Sequence, residues 1–132
     1  MRKKKKDTLT TAKDKAWKAF SKYIRLHYAD ENGYVKCVTC GFTDHWTRQQ
    51  AGHFIDGRSN TVLFDERLVY PQCGFCNISL RGNKEKYTEF MLKQGWSVEQ
   101  LLELDNLKRK TKKLTIIDFM DIKFKYEEKL NG

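Results

Sequence analysis

Four cysteines stand in two Cys-x-x-Cys turns, Cys37-Val38-Thr39-Cys40 and Cys73-Gly74-Phe75-Cys76. Each turn offers two thiolates to one side of a cation, and two turns supply the four sulfurs of a closed tetrahedral zinc site. The 32 residues between the pairs exceed the spacing of short zinc-finger patterns, so a larger loop folds between them. Two readings compete with zinc: a pair of disulfides, and redox chemistry at a thioredoxin-like Cys-x-x-Cys. Disulfides suit secreted chains, yet Met1 is followed by Arg2 and Lys3 to Lys6 with no apolar stretch behind them. No signal peptide is expected, and the expected location is cytoplasmic.

Between the turns lies His53, in Gln50-Ala51-Gly52-His53-Phe54-Ile55, and directly after the last cysteine lies Asn77. A neutral imidazole can take a proton from water, while an Asn carbonyl and a carboxylate can hold a Mg²⁺ that keeps several of its waters. Phosphodiester hydrolysis needs both. Each residue also has a plainer reading: a histidine beside apolar residues is commonly a packed core residue, and Asn at such a position commonly caps a helix. Asp56, Asp65 and Glu66, all between the turns, are the candidate carboxylates, and the sequence does not choose among them. Asp65-Glu66-Arg67 reads equally as a solvated turn with a local salt bridge.

The formal net charge is +9. Four zinc-bound thiolates and one Zn²⁺ together add −2, which leaves roughly +7. Residues 1–25 hold ten Lys/Arg against Asp7 and Asp14, a local balance of +8, and a second basic cluster runs from Lys108 to Lys113. Charge clusters usually only solvate a surface, but two of them flanking a metal site favour a polyanion, most simply nucleic acid. Lys3, Lys4, Lys5, Lys6, Lys18 and Lys22 form the N-terminal share. Arg58, Arg67, Arg81 and Lys84 lie nearer the candidate phosphate site, and at least two of them are expected to touch backbone oxygens. Trp17, Trp46 and Trp96 can stack on unpaired bases or, more commonly, pack in a core. His27 and His45 carry the structural reading, with His45, between the motifs, as an alternate metal ligand. No apolar run reaches 18 residues, so no membrane span and no membrane partner is expected.

The elements that position these residues follow from periodicity and caps. Residues 1–10 read as a disordered basic arm and 11–132 as one domain. Ala16, Phe20, Tyr23, Ile24 and His27 recur at helical spacing from Thr11 to about Tyr28, with Gly33 in the turn that follows. Tyr34 to Lys36, Gln49 to Ile55 and Arg67 to Tyr70 read as short strands, with Pro71 at an edge. A helix starting at the second cysteine turn is expected to run to Gly95. Ser97 to Gln100 and Thr115 to Asp118 form capping boxes ahead of two closing helices. The expected fold is α+β: a treble-clef centre with a basic N-terminal helix and C-terminal helices.

Cys37-x-x-Cys40-Gly41, Ala51-Gly52-His53-Phe54, Phe64-Asp65-Glu66-Arg67, Gln72-Cys73-x-x-Cys76-Asn77 and Gly82-Asn83, followed by Thr115 to Leu130, resemble the lambdoid-phage recombination proteins called NinG or Rap. The resemblance spans residues 11–130. It implies an HNH-like (ββα-metal), zinc-containing endonuclease acting on branched DNA such as Holliday junctions and D-loops. His53 would then be the general base, Asn77 a ligand of a catalytic Mg²⁺ or Mn²⁺, and Cys37, Cys40, Cys73 and Cys76 the structural zinc ligands. Symmetric cutting of a four-way junction further implies a homodimer built by the end helices. Two positions depart from the HNH pattern: Gly52 stands where Asp commonly precedes the base, and Leu68 stands where the middle Asn is expected. A zinc-stabilised DNA-binding module without catalysis is the rival reading.

Overall fold

The structure is a computed structural model that describes residues 7–57 and 59–132. It is a mixed α+β protein with two two-stranded antiparallel sheets, and the chain divides into two compact units. One is formed by residues up to Tyr23 with Lys113–Gly132, the other by Ile24–Lys112.

Helix α1 (Leu9–His27), which belongs to the first unit as far as Tyr23, begins where the Thr8 and Thr11 hydroxyls accept each other's backbone N–H. Ala12, Ala16 and Phe20 repeat every four residues and are buried, so one stripe of α1 faces inward. The last helix, which we label α4 (Ile116–Asn131), starts at the capping box Thr115/Asp118 and buries Phe119 and Tyr126. The rings of Phe20 and Tyr126 meet edge to face, 4.9 Å between centroids. Expected and observed bounds of α1 agree within two residues at each end, because caps and periodicity are both local signals.

The second unit is built from much shorter pieces. Strands β1 (Tyr34–Lys36) and β2 (Thr43–His45) form a hairpin around the first cysteine turn, in register Tyr34↔His45. β3 (Gln50–His53) and β4 (Val69–Gln72) form the other sheet, in register Gln50↔Gln72 and His53↔Val69. Pro71 takes a place in β4, which has a free edge in a two-stranded sheet, and its carbonyl accepts the Val38 N–H at 3.0 Å, tying β4 to the first cysteine turn. Helices α2 (Lys84–Lys93) and α3 (Val98–Asn106) supply Tyr87, Met91, Leu101 and Leu104 to a core shared with Phe54, Ile55, Val62 and Leu68. The capping box at Ser97/Gln100 is present.

The helix expected to run unbroken from the second cysteine turn is instead divided. A five-residue π-helical turn, Phe75–Ser79, stops before Arg81, Gly82 and Asn83, all left-handed with φ of 51°, 95° and 48°. The Gly82 carbonyl accepts from Gln72, and the Asn83 amide reaches the Cys76 sulfur, so tertiary partners hold a conformation that two non-glycine residues disfavour locally. The hairpin strand β2 was likewise not anticipated from sequence.

Candidate metal centre

The two cysteine turns bring Cys37, Cys40, Cys73 and Cys76 together, with all four sulfurs within 4.8 Å of one another. Cys40 Sγ and Cys73 Sγ are 3.7 Å apart, and all four cysteines are free. A tetrahedral Zn²⁺ with Zn–S near 2.3 Å requires sulfur separations of about 3.8 Å, so the donor set fits such an ion. The second layer fits too. The Phe42 N–H points to Cys40 Sγ at 3.5 Å, the Cys76 N–H to Cys73 Sγ at 3.4 Å and the Asn83 amide to Cys76 Sγ at 3.6 Å. Donors aimed at sulfur stabilise thiolates. Without a cation, desolvation inside the cluster pushes the Cys40 thiol up to about 12 and raises Cys73. Desolvation also pushes Cys37 up, but the Thr39 hydroxyl and nearby backbone N–H groups outweigh it and leave that thiol at about 6. A divalent cation displaces the remaining protons. The cluster can therefore bind a structural metal such as zinc.

His53 ends β3. Its Nε2 lies 3.1 Å from the Leu63 carbonyl, which can only accept, so Nε2 carries the proton and the neutral ring keeps its lone pair on Nδ1. Sequence reasoning missed Leu63, since a backbone carbonyl carries no residue-type signal. Asn77 lies within the turn after the second cysteine pair and is not a helix cap; its amide donates to Gln50 Oε1 at 2.7 Å. Residues 50 and 53 fall on opposite faces of a strand. Thus Asn77 is held on one face of β3 and His53 leaves from the other.

Gly52 has a specific reason to be glycine. A Cβ there would lie 1.8 Å from Oε1 of Gln72, a fully buried side chain whose amide donates to Thr39 Oγ1 and to the Gly82 carbonyl. The buried Tyr87 hydroxyl donates to the Gly52 carbonyl at 2.7 Å, so α2 holds β3 from the same neighbourhood. No carboxylate fits at position 52. Leu68 is fully buried, and its carbonyl accepts the Phe54 N–H at 2.8 Å, holding the residue that follows His53.

The candidate carboxylates are otherwise engaged. Asp56 pairs with Lys108 at 3.1 Å, which holds its carboxyl below the usual range. Asp65 caps the short turn Glu66–Leu68 and receives Arg67 at 2.6 and 3.0 Å. Glu66 sits inside that turn, half-buried. Among the described residues, the cysteine cluster is the group of three or more His, Cys, Asp or Glu side chains arranged to share an ion. A catalytic Mg²⁺ or Mn²⁺ thus finds a hard donor in Asn77 but no assembled carboxylates, and the donor set does not fit such an ion.

Of the candidate phosphate contacts, Lys18 pairs with Asp14 at 3.0 Å and Lys22 is exposed on α1. Lys84 donates to the Phe54 carbonyl and lies 3.9 Å from that ring's centroid; burial lowers its pKa. Arg81 is exposed. Lys3, Lys4, Lys5, Lys6 and Arg58 lie outside the described residues. His45 caps a short turn through Thr47, and the three tryptophans are half-buried. Exposed rings occur instead at Phe42 and Phe75, beside the cysteines. No helix among the described residues is long and apolar enough to cross a membrane.

Fold and site together define a small α+β protein with a four-cysteine cluster that can bind a structural metal such as zinc. The model of the family described as bacteriophage Lambda NinG protein matches residues 1–132, and the chain belongs to that family. No curated protein and no solved structure matches the chain.

Proposed function

We propose that this NinG-family protein is a structure-selective endonuclease with an HNH-like, treble-clef zinc centre, acting on branched DNA in phage recombination. The observation that carries the reading is the fixed tautomer of His53 on the strand between the two cysteine turns. An imidazole held with Nε2–H on a carbonyl has its proton-accepting nitrogen at Nδ1, the atom that would take a proton from a water attacking a phosphodiester. The zinc-bound turns would then act as a frame, through Val38 on β4 and β4 on β3, that fixes the ring's direction. A net charge of +9 supports a polyanionic substrate. Two-site cutting of a junction would require a homodimer.

The occupied space at Gly52 favours a second reading, a zinc-stabilised DNA-binding module without catalysis. Labelled four-way junction and matched linear duplex, incubated with Mg²⁺, Mn²⁺ or EDTA, separate the two. The nuclease reading expects junction cleavage that His53→Ala lowers by about 10²–10⁴-fold, with junction affinity kept within a few-fold. Cleavage by His53→Ala at the unaltered rate removes this residue from the mechanism. Binding without cleavage in any metal establishes the module.

A further inference from the structure

The metal centre carries a surface that its structural role leaves unused. Phe42 follows Cys40 by two residues and Phe75 follows Cys73 by two, and the sulfurs of those cysteines are 3.7 Å apart. Both rings face solvent, Phe42 at 55% exposure and Phe75 at 64%, and the turn that Phe75 opens also exposes Ile78 at 66% and Leu80 at 43%. Large apolar side chains left exposed on both cysteine turns, within a few residues of sulfurs that meet, mark a surface suited to a partner. Each ring's backbone is fixed at the metal centre: Phe42 by its N–H to Cys40 Sγ and its carbonyl to the Cys37 N–H, Phe75 by its place inside the second cysteine turn. Surfaces ordered in advance bind without the cost of ordering them.

Charge selects the partner. Lys36 is exposed and its side chain lies beside Gly41, next to Phe42; Arg81 is exposed and its N–H bonds the Ile78 carbonyl. A second copy docked symmetrically on this tip would bring Lys36 and Arg81 against like charges, because a two-fold interface pairs a patch with itself. A nucleic acid offers the reverse: bases with apolar faces, attached to phosphates. Aromatic rings beside cations are the surface on which unpaired bases stack.

We infer that Phe42 and Phe75 form a stacking platform for unpaired nucleobases, so that the metal centre reads the open point of a branched DNA while Lys36 and Arg81 hold its backbone. This rests on the DNA reading proposed above and names the feature of the substrate that is recognised. It is independent of cleavage, and it locates branch preference on the cysteine turns.

The test uses the full zinc-loaded chain and a forked DNA junction carrying 2-aminopurine at the first unpaired position beside the branch point, with the matched linear duplex as control. Phe75→Ala and Phe42→Ala, each verified to keep its zinc, are expected to lower junction affinity by roughly tenfold and to abolish the 2-aminopurine response, with duplex affinity unchanged. Phe75→Trp is expected to restore both. Equal loss on junction and duplex, or no loss on either, overturns the platform while leaving DNA binding in place. A wild-type chain that binds neither DNA overturns the DNA reading and the platform with it. A light-scattering change in Phe75→Ala without a change in DNA selectivity would make the tip a self-association face and also overturn the proposal.

Discussion

The two units hold themselves together by different means. The helical unit satisfies its backbone within α1 and α4 and closes on a buried stripe of small and aromatic residues. The cysteine unit has strands of three and four residues, in sheets of two strands, lengths that do not persist in water alone. Its hairpins are instead tied to four sulfurs and to single side-chain bonds such as those of Gln72, Tyr87 and Asn83. Where a fold has little repetitive structure, individual donors and a cluster of sulfurs able to hold a metal replace it, and each becomes difficult to substitute.

The largest expected effect comes from removing that metal. Structural zinc contributes on the order of 10 kcal/mol to folding of such sites, so chelation, or Cys76→Ala at a fully buried ligand, is expected to unfold the cysteine unit. The near-environment fluorescence of Trp46 and Trp96 reports that unit and Trp17 the helical one; single-Trp variants should lose the first two signals and keep the third. Loss of all three in one transition would show that the units are a single cooperative body. Acid acts in the same direction. Cys40 and Cys73 hold their protons more tightly than free thiols, and zinc must displace them, so competition titrations at pH 6 should give weaker zinc binding than at pH 8.

Next in size is Phe20→Ala, which empties a fully buried site in the helical unit. A cost of about 3–5 kcal/mol is expected in denaturant unfolding followed at Trp17, with zinc content unchanged. Gly52→Ala should cost about 2 kcal/mol in the other unit, since the new methyl must evict the Gln72 amide. Gly52→Ala combined with Gln72→Ala should cost less than the two changes added together. If it does not, the contact between them is not what demands glycine. The smallest effect is the loss of a cap: Thr115→Ala and Ser97→Ala are each expected to cost about 1 kcal/mol, the first seen at Trp17 and the second at Trp96.

The same contrast explains what could be read from the chain. The caps at Ser97 and Thr115 and the four-residue spacing along α1 are short-range signals, and the structure carries them almost unchanged. The cysteines were legible because thiolates at that spacing have few other uses. The left-handed run Arg81-Gly82-Asn83 was not, because what stabilises it lies on Gln72 and Cys76. Gly52 could be recorded as a departure from a pattern, but its cause is the amide of Gln72, twenty residues away in sequence. His53 was visible as a residue type, whereas the carbonyl that orients it belongs to a leucine.

The helical unit also has a history in time. Its two parts, 9–23 and 113–132, are separated by the whole cysteine unit. On the ribosome, α1 is made before its partner, with Ala12, Ala16 and Phe20 uncovered, and Tyr126 is made only after every residue of 24–112 has left the peptidyl transferase centre. At synthesis rates of about 5–20 residues per second, the stretch from Cys76 to Tyr126 takes several seconds to make, time in which the four cysteines can meet a metal before the helical unit can close. The cysteine unit can thus form before the helical one, and α1 waits longer for its partner than the other described helices do.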